Sequence, residues 1–253
     1  MTDKPLRALA MPLFSNADPL SAESIVSAWT KLAPGGPELV VTDRSASGLE
    51  ISIDGRAVLL IHIPKPIPGT EALDAVKMSW MWQQPDTAVR EHQAHAIVTA
   101  AGSGNIVTDA WDVVRVSAAL LASSPAGVAL YWGNARQVHT AKTAIMFASE
   151  NDLMPVPIWV GVTISAPANI GPFSAATHGL EALGHREFEV RNSRMPLGEL
   201  RTTLLDLAAY VLSNGPVLLH GETFGPSADV KWNVTHEPST LVPGRQAIVL
   251  AIP

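Results

Sequence analysis

Gly48-Leu49-Glu50-Ile51-Ser52-Ile53-Asp54-Gly55-Arg56-Ala57-Val58-Leu59-Leu60-Ile61-His62-Ile63-Pro64 is the stretch that decides the fold class. Leu49, Ile51 and Ile53 alternate with Glu50, Ser52 and Asp54, the period of a strand with one wet face. Asp54-Gly55 supplies the two left-handed residues of a tight hairpin turn. The returning segment is nearly all apolar, which places it inside a sheet. Upstream, residues 6–14 read as a first strand, and a helix capped by Asp18 or Ser21 carries Ile25, Trp29 and Leu32 on one face. Pro34-Gly35-Gly36-Pro37 stops that helix, and 38–43 is a further strand.

Beyond a proline-rich link at 64–68, a helix is expected over 70–82 with Leu73, Val76 and Trp80 on its apolar side. A buried strand comes next at 95–101, then Gly102-Ser103-Gly104 and a helix presenting Val107, Trp111, Val114, Ala118 and Leu121, capped by Thr108 or Asp109. A strand at 128–132 and a helix at 139–149 complete the first half. Pro155 and Pro157 flank a seam at 151–157, dividing an N-terminal region (1–152) from a C-terminal one (153–253). The second region reads as a strand at 158–165, a helix at 173–183, a strand at 186–191, a long helix from Pro196 to Asn214, and strands at 230–235 and 246–252. This order specifies an α+β fold, with mixed sheets and amphipathic helices packed on them. Whether the halves are related subdomains is left open by the sequence.

Of the 253 residues, 47% are apolar and 16% charged, so a sizeable core is expected. The formal charge of −6 is scattered, with no basic stripe to neutralise phosphates, so nucleic acid is not an expected partner. Cysteine is absent, which excludes disulfides, thiolate metal sites and thiol nucleophiles. A polar start and no bilayer-length apolar run point to a cytoplasmic protein with no membrane association.

Arg90-Glu91-His92-Gln93-Ala94-His95 is the most suggestive cluster for chemistry. Two imidazoles three apart could share a metal from one helix face. His95, however, opens a strand, where that spacing points to opposite faces. The plainer reading is one capping and one core histidine, and neither a metal nor another cofactor is expected. His220-Gly221-Glu222 echoes the His-x-Glu of zinc deaminases, but those enzymes need cysteine ligands. Glu222 is left as a loop acid or base, or as a turn cap. Gly102-Ser103-Gly104 lacks the third glycine of a dinucleotide fingerprint, so a plain strand-to-helix turn is expected. Trp29, Trp80 and Trp111 fall on core-facing helix positions. Trp82, Trp132, Trp159 and Trp232 fall where an indole can also wall a groove, Trp132 most of all.

From 155 to 239 the chain resembles the bacterial domain-of-unknown-function family numbered 4261. The shared features are Pro157-Ile158-Trp159-Val160, Thr177-His178-Gly179-Leu180, Leu183-Gly184 and Glu187-Phe188-Glu189. They continue through Tyr210-Val211-Leu212-Ser213-Asn214-Gly215 and Gly221-Glu222-Thr223-Phe224-Gly225. His92, His95 and Tyr131-Trp132-Gly133 look like companion features of longer members. The resemblance implies a bacterial source and a shared fold, and carries no reaction. The expected role is a protein-binding module, such as an immunity or adaptor protein, with Trp132, Trp159 and Thr177 as candidate binding residues. The alternative is a small-molecule enzyme, with or without a metal, using His92, His95 and Glu222.

Overall fold

The computed structural model describes residues 7–45, 47–82, 86–150, 153–166, 172–227 and 229–253. Leu6, expected to open the first strand, and Asn151-Asp152, at the start of the seam, lie outside them. The chain forms two compact units, Met1–Trp159 and Val160–Pro253.

The first unit is built on a seven-stranded sheet. Its strands in chain order are β1 (Leu9–Phe14), β2 (Leu39–Arg44), β3 (Gly48–Ile53), β4 (Arg56–Ile63), β5 (Ala94–Ala101), β6 (Gly127–Trp132) and β7 (Gln137–Thr140). Their spatial order is β2-β3-β4-β5-β1-β6-β7, with every neighbouring pair antiparallel. The hairpin forms as read: Asp54 and Gly55 both take positive φ, and β3 pairs with β4 from Ile53↔Arg56 to Gly48↔Ile61. β4 lies inside the sheet, but only one of its faces is fully covered. Val58 and Leu60 are buried while Leu59 is 44% exposed.

Helix α1 (Ala22–Leu32) begins at Ser21, whose hydroxyl accepts the Ser24 N–H, and Trp29 donates its indole N–H to the Pro37 carbonyl. α2 (Glu71–Val76) and α3 (Asp86–Glu91) are short. The helix expected to reach residue 82 stops at Val76 because the sheet edge captures Met78 and Ser79. Ser79 Oγ accepts the Val138 N–H, and Gln137 donates to the Met78 carbonyl. Trp80 is consequently 38% exposed, against its expected core position. α4 (Ile106–Ala122) buries more residues than any other helix of this unit. Its cap is Asn105, not Thr108 or Asp109: Asn105 Oδ1 accepts from Val107 and Thr108, while Asp109 turns back to the Ser103 N–H. Asp112 of α4 receives two hydrogen bonds from Arg56 (2.7 and 3.1 Å), tying the helix to β4. α5 (Ala141–Ser149) starts after His139, which lies in β7 instead of opening the helix. α6 (Val156–Trp159) is a single turn where a strand was expected to begin, and Trp159 packs edge-on against Trp111 at 5.6 Å.

The second unit carries β8 (Gly161–Ser165), β9 (Phe173–His178), β10 (Glu187–Ser193), α7 (Leu197–Asn214), β11 (Thr223–Phe224), β12 (Trp232–Pro238) and β13 (Gln246–Leu250). Its sheet runs β11-β12-β13-β10-β9-β8 and is mixed, since β10 and β13 are parallel. Residues 173–178 form a strand where a helix was expected. β9 is hydrogen-bonded on both sides, to β8 and β10, and that pairing overrides the helix preference of its alanines. Only Glu181–Leu183 keeps a helical turn, of the tight 3-10 kind.

Asn105 gives a direct check on the capping assignment. Asn105→Ala should cost about 1 kcal/mol in urea unfolding, and Thr108→Ala less than about 0.5 kcal/mol.

Candidate functional site

α7 presents two stripes. Leu200, Leu204, Leu207, Ala208 and Val211 are buried, as the helical spacing requires. Along its flank, Glu199, Thr203, Asp206 and Tyr210 recur every three or four residues and line a groove of about 820 Å³. The opposite wall comes from the β11–β12 hairpin. Phe224 pairs with Trp232 across the ladder, and its ring lies 5.3 Å from that of Tyr210. Gly225 lets the hairpin close, because a Cβ there would collide with the Val230 carbonyl. Met195 and Pro226 complete the apolar lining. The groove is therefore aromatic and aliphatic, with two carboxylates and no basic side chain among its lining residues. Tyr210 is 40% exposed, so its ring is accessible.

This groove and the strands beneath it fall within one segment of known type. Residues 176–251 match the family model of a domain of unknown function, DUF4261. The chain matches no curated protein and no solved structure. The DUF4261 segment runs from β9 to β13, so it holds Tyr210, Phe224 and Trp232 together.

Two carboxylates on β10 organise the same segment from within. Glu187 accepts from the Thr177 hydroxyl (2.7 Å) and from the Gly179 and Glu181 N–H groups (2.8 and 3.2 Å). Burial pushes its carboxyl up, and these donors oppose the shift. Glu189 has a fully buried side chain and accepts from Arg191, Thr240 and Ser239. Burial alone would raise its pKa, but the donors of Ser239, Arg191 and Thr240 hold it at about 2.

Each residue singled out from sequence has local partners of its own. His92 and His95 clamp the proline-rich link. His92 Nε2 accepts the Ile67 N–H (2.8 Å) and its Nδ1–H donates to the Val89 carbonyl, while His95 Nδ1–H donates to the Lys65 carbonyl (2.8 Å). Both ring nitrogens of His92 are thus engaged. Among the described residues, no group of three or more His, Asp or Glu is placed to hold a metal ion. Glu222 belongs to the second unit while the histidine pair belongs to the first, and its carboxylate accepts the Leu219 N–H (2.8 Å) as a turn cap. Trp132 and Trp159 are buried core side chains. Thr177 is likewise fully buried; its hydroxyl donates to Glu187 and accepts the Phe188 N–H. Of the four tryptophans at positions suited to a groove wall, Trp232 is the one that lines this groove. Glu199 and Asp206 carry no motif that singles them out in the sequence, while Tyr210 opens the shared run Tyr210–Gly215, which assigns it no role. Their signal lies in the helix, as a polar and aromatic stripe beside the leucine face.

His139 is a buried imidazole outside every motif in the chain. Neither of its ring nitrogens has a hydrogen-bond partner among the described residues. Burial lowers its pKa to about 4. The native state therefore binds fewer protons than the unfolded chain between about pH 6.5 and pH 4. Stability is complete above that window and falls by about 3 kcal/mol as the pH drops through it. His62 and His95, whose pKa values burial also lowers, act in the same direction. His139→Leu should flatten most of this acid slope, measured by urea unfolding at pH 4.5, 5.5 and 7.

Proposed function

We propose that the protein is a protein-binding module whose α7 groove grips a partner segment bearing an apolar anchor beside a basic side chain. The observation that carries this reading is the composition of the groove. Tyr210, Phe224 and Trp232 offer ring faces and edges to an apolar or cationic group, and Glu199 and Asp206 offer charge to a base. A cation over such a ring gains about 0.5–2 kcal/mol, and aromatic anchors in a pocket dominate many protein interfaces. Charge complementarity selects a basic segment over an acidic one, because no lining residue is positive.

The resemblance to a bacterial family supports a bacterial source, and the role of an immunity or adaptor protein in the cytoplasm is consistent with a binding groove. No helix among the described residues is long and apolar enough to cross a membrane. The enzyme reading, with His92, His95 and Glu222 as a single cluster, has less support. The two histidines and the acid are engaged in separate backbone hydrogen bonds in different units.

A pair of labelled amphipathic peptides tests the groove: one with leucine, tryptophan and lysine, the other with glutamate replacing each lysine. Fluorescence anisotropy should show saturable binding of the basic peptide only. Tyr210→Ala and Asp206→Lys should each weaken it at least tenfold while leaving the urea midpoint nearly unchanged. Equal binding of the acidic peptide, or no binding of the basic one, rejects the proposal.

A further inference from the structure

A second cavity in the same unit has the opposite character. It measures about 290 Å³ and is lined by the turn Gly184-His185-Arg186, by Leu218 and Leu219, by His236 of β12, and by aliphatic side chains including Val211 and Ile248. Its polar side is a relay of fixed donors. His236 Nε2–H donates to the Leu218 carbonyl (2.8 Å), which leaves Nδ1 as an acceptor, and Arg186 Nη1–H donates to it (2.6 Å). Both ring nitrogens of His236 are thereby engaged, and the imidazole orients the guanidinium without setting a carboxylate against it. The backbone holds His236 in place in turn, since its N–H donates to His220 Nδ1 (3.0 Å).

That arrangement differs from that of the arginines held in ion pairs. Arg44, Arg56, Arg191 and Arg245 each pair with a carboxylate, on Glu23, Asp112, Glu189 with Glu237, and Glu181 respectively. Arg186 has no carboxylate partner among the described residues, and no acid lines the cavity. One hydrogen of its five goes to His236; the Nε and Nη2 edge stays available, and that edge matches the two oxygens of a carboxylate.

We infer that this cavity is a binding site for a small organic carboxylate, held by the Arg186 fork at its head and by Val211, Leu218 and Ile248 around its apolar body. The volume lies at the small end of ligand pockets, so the body is a short chain or a single ring. One fixed positive charge matches a monoanion better than a phosphate dianion, and the aliphatic lining rewards carbon atoms that inorganic phosphate lacks. His185 contributes no second charge at neutral pH, because burial lowers its pKa. The site is separate from the α7 groove and does not depend on the proposal made for it.

Hexanoate, hexanol and inorganic phosphate are the probes, titrated into the full chain and followed by the backbone amide signals of His185, Arg186 and Leu219. Hexanoate should saturate these shifts, with hexanol and phosphate each at least tenfold weaker. Arg186→Gln should lose at least tenfold in hexanoate affinity, and Arg186→Lys should fall between, since it keeps the charge but not the fork. Arg186 makes no ion pair among the described residues that its replacement would break, so both variants should retain the parental urea midpoint. The inference is overturned by absence of saturation, by hexanol or phosphate binding as tightly as hexanoate, or by an Arg186→Gln variant that binds as the parent does.

Discussion

Glu187 and Glu189, two carboxylates inside the second unit, are the constraint on which its architecture rests. They alternate with Phe188 and Val190 along β10, which lies between β9 and β13. A buried carboxylate costs several kcal/mol unless its oxygens are matched by donors. Glu187 finds them in the Thr177 hydroxyl and the turn after β9; Glu189 finds them in Arg191 and the 239–240 turn. Each carboxylate thus fixes one connection to the sheet. The hydroxyl of Thr177 and the two acids of the Glu187-Phe188-Glu189 run are engaged in this internal satisfaction.

With the sheet held from inside, α7 and the hairpin beside it form the larger of the unit's two described cavities. The helix buries Leu200, Leu204 and Leu207 and leaves a flank of acids and one tyrosine. The hairpin can approach that flank because Gly225 carries no side chain. The two cavities of the unit are complementary in charge: acids and aromatic rings in the α7 groove, a carboxylate-free arginine in the other. Histidines in both units make hydrogen bonds that hold neighbouring groups in place. His92 and His95 hold the link after β4, and His236 orients Arg186.

Much of this was legible in the chain where local rules suffice. Asp54-Gly55 specified the hairpin, Asp18 or Ser21 the start of the first helix, and the leucine spacing the long helix read from Pro196 to Asn214. The errors came where a partner distant in sequence decides the outcome. Residues 173–178 look helical until β8 and β10 claim both edges of the strand. The helix after Thr70 ends early because Ser79 is captured by β7, some 59 residues away. The α7 groove was hidden for a similar reason. Tyr210 and Phe224 sit in two separate shared motifs, and nothing in either shows that the fold brings their rings within 5.3 Å. Trp132 and Trp159 show the converse, since position at an element's end did not keep them from the core.

The central claim is that the α7 groove is a recognition surface for a basic, apolar segment. Amide and indole NMR mapping of the intact chain, titrated with the lysine-bearing amphipathic peptide, locates the bound segment most directly. The account predicts shifts concentrated at Glu199, Asp206, Tyr210, Phe224 and the Trp232 indole, with the Trp132 and Trp159 indoles unmoved. Shifts centred on His92 and His95, or none at saturating peptide, would contradict it.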